Sequence, residues 1–103
     1  MSRTIEIGRF TVKPGEEEEF LAEHAAMAEA ARAQFEGLLD ESLLRLEDGS
    51  YMTIWVWAER KFCDLALAKV SQVEPVQSWL SRIDKEPSME FGVLIDTKAS
   101  VES

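Results

Sequence analysis

The spacing of apolar positions along the chain predicts a strand, a long helix, two further strands, a broken helical region and a last strand. "TIEIGRFTV" (4–12) is rich in β-branched residues and bounded by "KPG", so it reads as a strand that turns at Pro14 and Gly15. Leu21, His24, Ala28, Ala31 and Phe35 then recur at steps of three and four, with Phe20 and Met27 alongside. That spacing is an apolar helical stripe running to about Phe35, and Gly37 ends it. "LLDESLLRL" (38–46) reads as a second strand, and "EDGS" (47–50) carries the Asp-Gly signal of a tight hairpin. "YMTIWVWA" (51–58) is the third strand. Helical spacing returns in "ERKFCDLALAKV" (59–70) through Phe62, Leu65, Ala66 and Val70. Pro75 interrupts it, and Val76, Trp79, Leu80 and Ile83 begin a second helical piece. "KEPS" breaks that pattern, "MEFGVLI" (89–95) is the last strand, and the tail "KASVES" is expected to fray.

The order βαββαβ predicts an α+β, ferredoxin-like domain with an antiparallel sheet and its helices on one face. There is no repeat at fixed period, no low-complexity segment and no linker, so residues 1–98 read as a single domain with 99–103 as a flexible tail. Side chains alternate across a strand. One face of the third strand therefore carries Met52, Ile54, Val56 and Ala58, and the other Tyr51, Thr53, Trp55 and Trp57. Both are largely apolar, and helices cover only one. A large apolar sheet face left to water marks a partner surface, so a homodimer packed sheet against sheet is expected. A single strand does not reveal which face the two tryptophans take. Met27, Met52 and Met89 read as core filler.

Composition narrows the classes of function. Hydrophobic residues make up 46% of the 103 positions and charged residues 30%, a globular balance. The formal net charge of −9 repels phosphate backbones, so nucleic acid is not an expected partner, and anionic membrane surfaces are disfavoured too. No apolar run approaches the ~20 residues of a membrane span. "MSRTIEIGRF" is too short and too polar for a signal peptide. One cysteine, Cys63, forms no internal disulfide and suits a cytoplasmic location.

Candidate chemistry is sparse. His24, the one histidine, lies on the sheet-facing stripe of the first helix, and its ordinary pKa near 6.5 fits a general base. It reads equally as a core histidine bonded to a backbone carbonyl. Trp55, Trp57 and Trp79 are either packing or the walls of a substrate pocket. Arg9 lies within the first strand beside Gly8; it would pair with Glu6 or Asp40, or hold a phenolate. Gly8 opens pocket space or marks a bulge. The glutamates of "EEEEF" serve the helix dipole rather than a cation, because consecutive residues point in different directions. Metal-ligand spacing, a Gly-rich phosphate loop and a G-x-S-x-G elbow are all missing, and Cys63 has no histidine close by in sequence.

"VKPGEEEEFLAEHAAM", "GLLDESLLRLEDGSYMTIWVWAERKF" and "PVQSWL" together resemble the antibiotic biosynthesis monooxygenase-like family of dimeric α+β barrels, over nearly the whole chain. The resemblance implies a ferredoxin-like subunit, a dimer joined through its sheets and a pocket between helices and sheet. Some members oxidise polycyclic phenols or quinols with dioxygen and no metal, flavin or haem; others degrade haem. Haem-degrading members rely on an asparagine in the first strand, a tryptophan, and a histidine in the second helical region. Here those asparagine and tryptophan positions fall on Gly8 and near Ala66, the chain contains no asparagine, and His24 lies on the first helix. The resemblance therefore points away from haem, with no cofactor. It leaves two readings: a monooxygenase acting on a small phenol- or quinol-type aromatic, with His24 as base and Arg9, Trp55, Trp57 and Trp79 at the substrate, or a homodimer of the same fold that binds a small ligand or is purely structural.

Overall fold

A computed structural model describes residues 2–96. Its elements are β1 (Thr4–Val12), α1 (Glu17–Gln34), β2 (Leu38–Arg45), β3 (Tyr51–Trp57), α2 (Arg60–Lys69), α3 (Glu74–Leu80) and β4 (Ile83–Val93), with a single 3₁₀ turn (Val70–Gln72) between α2 and α3. The four strands form one sheet in the order β2-β3-β1-β4, and every neighbouring pair is antiparallel. This is the ferredoxin-like α+β arrangement. The tail expected to fray lies outside the described residues.

Register fixes the two faces. Thr4 pairs with Trp57, Glu6 with Trp55, Gly8 with Thr53 and Phe10 with Tyr51, so these eight residues face one side of the sheet. Phe10, Tyr51 and Trp57 are buried there with Phe20, Met27 and Ala31 of α1, Cys63 and Ala66 of α2, and Val76 and Trp79 of α3. Trp55 and Trp57 therefore lie under the helices. Ile5, Ile7, Met52, Ile54 and Val56 take the opposite side and are half-buried. Arg9, Asp40 and Ser42 stand exposed around them.

Three details depart from the sequence pattern. In α1 the buried line is Phe20, Met27 and Ala31, whereas Leu21 is exposed. Ala31 and Phe35 are buried as the spacing suggested, and at the N-terminal end Phe20 and Met27, alongside that line, take the buried place of Leu21. Only Met27 of the three methionines is core filler: Met52 lies on the open sheet face and Met89 is exposed. The last strand begins at Ile83 rather than at Met89, running through "KEPS". Arg9 pairs with Ser88 but Thr11 pairs with Asp84, so β4 carries a bulge over that stretch, with Lys85 at φ 64°. β4 is an edge strand, and a bulge there accommodates Pro87, which has no N–H to give the ladder.

The acidic start of α1 does more than complement the helix dipole. Arg82, just after α3, bonds both oxygens of Glu23 (2.9 and 3.1 Å) and reaches Glu16 at 3.1 Å. Glu17 accepts the hydroxyl of Tyr51, which also accepts from Arg45. These bonds pin α1 to α3 and to the β2–β3 hairpin, and so set the height of the helices above the sheet.

Candidate active site

Between helices and sheet lies an apolar cavity of about 230 Å³. Its floor is Glu6, Gly8, Thr53, Trp55 and Trp57; Met27, Cys63, Ala66 and Trp79 close it from the helix side, and Pro87 and Met89 of β4 flank it. Each position follows from local structure. Gly8 is extended, and a Cβ there would stand 2.9 Å from Thr53 Oγ1 and 3.2 Å from Met89 Sδ. Thr53 and Met89 thus pack into the place of the missing side chain, and the strand irregularity sits further along, beyond Arg9. The bulge in β4 brings Pro87 to the rim.

The tryptophans hold their planes by polar as well as apolar contacts. Trp55 and Trp57 lie 6.0 Å apart, centroid to centroid, and both meet Phe35. Trp79 stacks on Phe20 at 4.5 Å, and its Nε1–H donates to the Phe20 carbonyl at 3.0 Å. Trp57 Nε1–H donates to Glu6 Oε1 at 2.9 Å. That bond crosses diagonally between two neighbouring strands on the helix side, and it holds a carboxylate in a mostly hydrocarbon chamber. Cys63 sits beside the same carboxylate. Burial, and then the charge of Glu6, push its thiol up to about 12, so it is a packing group and not a nucleophile.

His24 and Arg9 are elsewhere. The His24 ring is 5.7 Å from Trp79 without lining the cavity, and its Nε2 lies 2.9 Å from Glu41 Oε2. The Glu41 side chain is only 3% exposed, so His24 covers and pairs a carboxylate that α1 would otherwise strand. Arg9 is exposed on the open sheet face, three residues from Glu6 and pointing the other way. It faces the hairpin, where Ser50 hydrogen bonds, helped by Arg9's charge, hold Asp48 below the usual carboxylate range. Trp55, Trp57 and Trp79 are thus brought together, and His24 and Arg9 are not among the cavity's lining residues. In the sequence Glu6 reads only as a partner for Arg9. Its place on the same side as Trp55 and Trp57 follows once β1 and β3 are set in register, a relation that one strand alone does not carry.

A family model for antibiotic biosynthesis monooxygenases matches residues 4–61, more than half of the chain. The chain belongs to the antibiotic biosynthesis monooxygenase family. Solved structures agree in fold. A Bordetella bronchiseptica protein named for the same family superposes with a TM-score of 0.78 at 15% identity, covering 92% of this chain and 99% of that one. SnoaB of Streptomyces nogalater, described as a cofactor-independent oxygenase, gives 0.67 at 26% identity, covering 96% and 97%. A Nitrosomonas europaea protein of unknown function gives 0.74 at 16% identity, covering 99% and 98%. No curated protein matches the sequence.

Within this member of the family the matched segment spans β1, α1, β2 and β3 and ends just inside α2, so it contains Glu6, Gly8, Trp55 and Trp57. Trp79, Pro87 and Met89 lie beyond it. Among the described residues no group of three or more His, Cys, Asp or Glu side chains is placed to hold a metal ion, and no helix is long and apolar enough to cross a membrane.

Proposed function

We propose that this family member is a cofactor-independent monooxygenase acting on a small, flat phenol- or quinol-type aromatic in the tryptophan-walled cavity. The observation that carries the reading is the cavity itself: about 230 Å³, walled by Trp55, Trp57 and Trp79 and holding one carboxylate. Ligand pockets commonly run ~300–1,000 Å³, so this one suits one or two fused rings. The description of SnoaB as a cofactor-independent oxygenase supports the class of reaction.

The chemistry balances without a reductant. A quinol and dioxygen give a hydroxyquinone and water: one oxygen atom enters the ring, the other leaves as water, and the ring supplies all four electrons. The protein's part is to hold the ring flat between indoles, keep bulk water out and take a proton from the hydroxyl so that the ring becomes electron-rich. Oxygen uptake with one- and two-ring hydroquinones tests the reading. Consumption above the protein-free rate, saturating with substrate, is expected; uptake equal to that rate across the panel removes it.

We further propose that two copies pack through the open sheet face. Ile5, Ile7, Met52, Ile54 and Val56 form its apolar centre, and Arg9, Asp40 and Ser42 a polar rim, the anatomy of a protein interface. Light scattering on a sizing column should give twice the mass of the 11.7 kDa chain. A non-catalytic binding dimer is the second reading, favoured by the lack of asparagine in the chain. It predicts ligand binding with no oxygen uptake.

A further inference from the structure

Among the described residues the cavity holds one charged side chain, and it is negative. Among the described lining residues there is no lysine, arginine or histidine. The nearby cations are committed elsewhere: Arg82 to Glu16 and Glu23, Arg45 to Tyr51 and Glu17, and Arg60 to Asp64 and the face of Phe91. Arg9 is on the far side of the sheet. Glu6 itself makes no ion pair among the described residues; its partner is the Trp57 indole, on Oε1. Trp57 therefore aims the carboxylate and spends its only N–H in doing so, and the buried Cys63 thiol, a weak donor, is the other group beside it. A carboxylate has about four lone-pair sites, so it keeps acceptor capacity for whatever enters. Gly8, two residues along the same face, lines the cavity where Thr53 and Met89 close over the strand.

We propose that Glu6 is the polar anchor of the cavity, oriented by Trp57, and that it selects uncharged aromatics bearing a hydroxyl or N–H and rejects carboxylated or otherwise anionic ones. The inference rests on the reading of this cavity as a ligand site. It deepens that reading by naming the group that receives the substrate's hydrogen bond and the charge class that fits. A hydroxyl donor meets a charge-assisted acceptor in an apolar chamber, where such bonds are strongest. An anion meets a fixed like charge with no cation among the described lining residues to offset it.

Calorimetric titration with 1-naphthol, naphthalene and 1-naphthoate tests this, since the three differ in the group offered to Glu6 and share one ring system. The wild-type protein should bind 1-naphthol about tenfold or more tighter than either of the others. In Glu6→Gln, which keeps the size and removes the charge, the preference for naphthol over naphthoate should fall by about tenfold. Equal wild-type affinities for naphthol and naphthoate, no wild-type binding of naphthol, or an unchanged preference in a folded Glu6→Gln protein would each overturn the proposal. Should that variant not fold, the wild-type ranking decides alone. Because the readout is binding, it separates the two ideas. Selective binding without oxygen uptake removes the oxygenase and keeps the anchor, and oxygen uptake without selectivity does the reverse.

Discussion

Trp57 and Glu6 are joined by an indole-to-carboxylate hydrogen bond of 2.9 Å that runs from β3 to β1 beneath the helices. Thr4 is the direct register partner of Trp57, so this is a diagonal contact, longer in reach than a facing pair. It fixes one wall of the cavity and at once the direction of Glu6, the one charged side chain among the described lining residues.

Trp57→Phe keeps an aromatic wall and removes the donor. A hydrogen bond to a charged group contributes ~1.5–3 kcal/mol, and the loss should appear as a lower urea midpoint with an unchanged slope. The freed carboxylate should also turn, weakening binding of hydroxyl-bearing aromatics more than of plain hydrocarbons. Unchanged stability and unchanged ligand preference would show that the bond contributes to neither.

Gly37 links α1 to β2 at φ 81°, and a Cβ there would lie 2.3 Å from the ring of Phe62. Gly37→Ala meets both a strained backbone and an overlap with α2. The expected loss is at least ~2 kcal/mol by chemical denaturation. By contrast, the turn glycine Gly15, whose added Cβ would touch nothing within 4 Å, should lose less on the same change.

Stability should fall on the acid side through Glu23. Its paired bonds from Arg82 hold its carboxyl below the ordinary value of 4.5. A carboxyl depressed in the folded state stabilises the fold above that ordinary value and loses the contribution as pH drops below it, through the folded value. Arg82→Met should flatten this acid limb in melting temperatures taken from about pH 7 down to 3. A limb of the same steepness in the variant would assign the acid loss to other carboxyls.

Cys63 should be silent in the folded protein. Its thiol is 1% exposed and pushed up to about 12 by burial and by Glu6. Ellman's reagent near pH 8 should label it no faster than the protein opens, and fully in urea. Rapid labelling of the native chain would mean that α2 lifts from the sheet.

The sequence carries most of the fold because strand alternation, the 3–4 spacing of helices and the Pro-Gly and Asp-Gly turns are local signals. Thr4–Val12 is a strand in both accounts, and β3 and α1 agree to within a residue or two. What is not local was not legible. Pro87 looks like a terminator in "KEPS", but pairing with β1 turns the stretch into a bulged edge strand. The side taken by Trp55 and Trp57 depends on which face the helices cover. His24 is the one imidazole on the helix stripe, yet its partner Glu41 comes from an edge strand, seventeen residues away, and the pair lies outside the cavity lining. Glu6 reads as an ordinary charge in a strand until Trp57 is set beside it.

The central claim is that an aromatic held in the tryptophan-walled cavity receives an atom of dioxygen. Mass spectrometry of the product formed under ¹⁸O₂ tests it most directly, with a one- or two-ring hydroquinone that calorimetry has shown to bind. The account predicts one labelled oxygen atom per product molecule, formed by the wild-type chain and strongly reduced in Glu6→Gln. A bound hydroquinone that gains no label, or gains it equally with and without the protein, would contradict it.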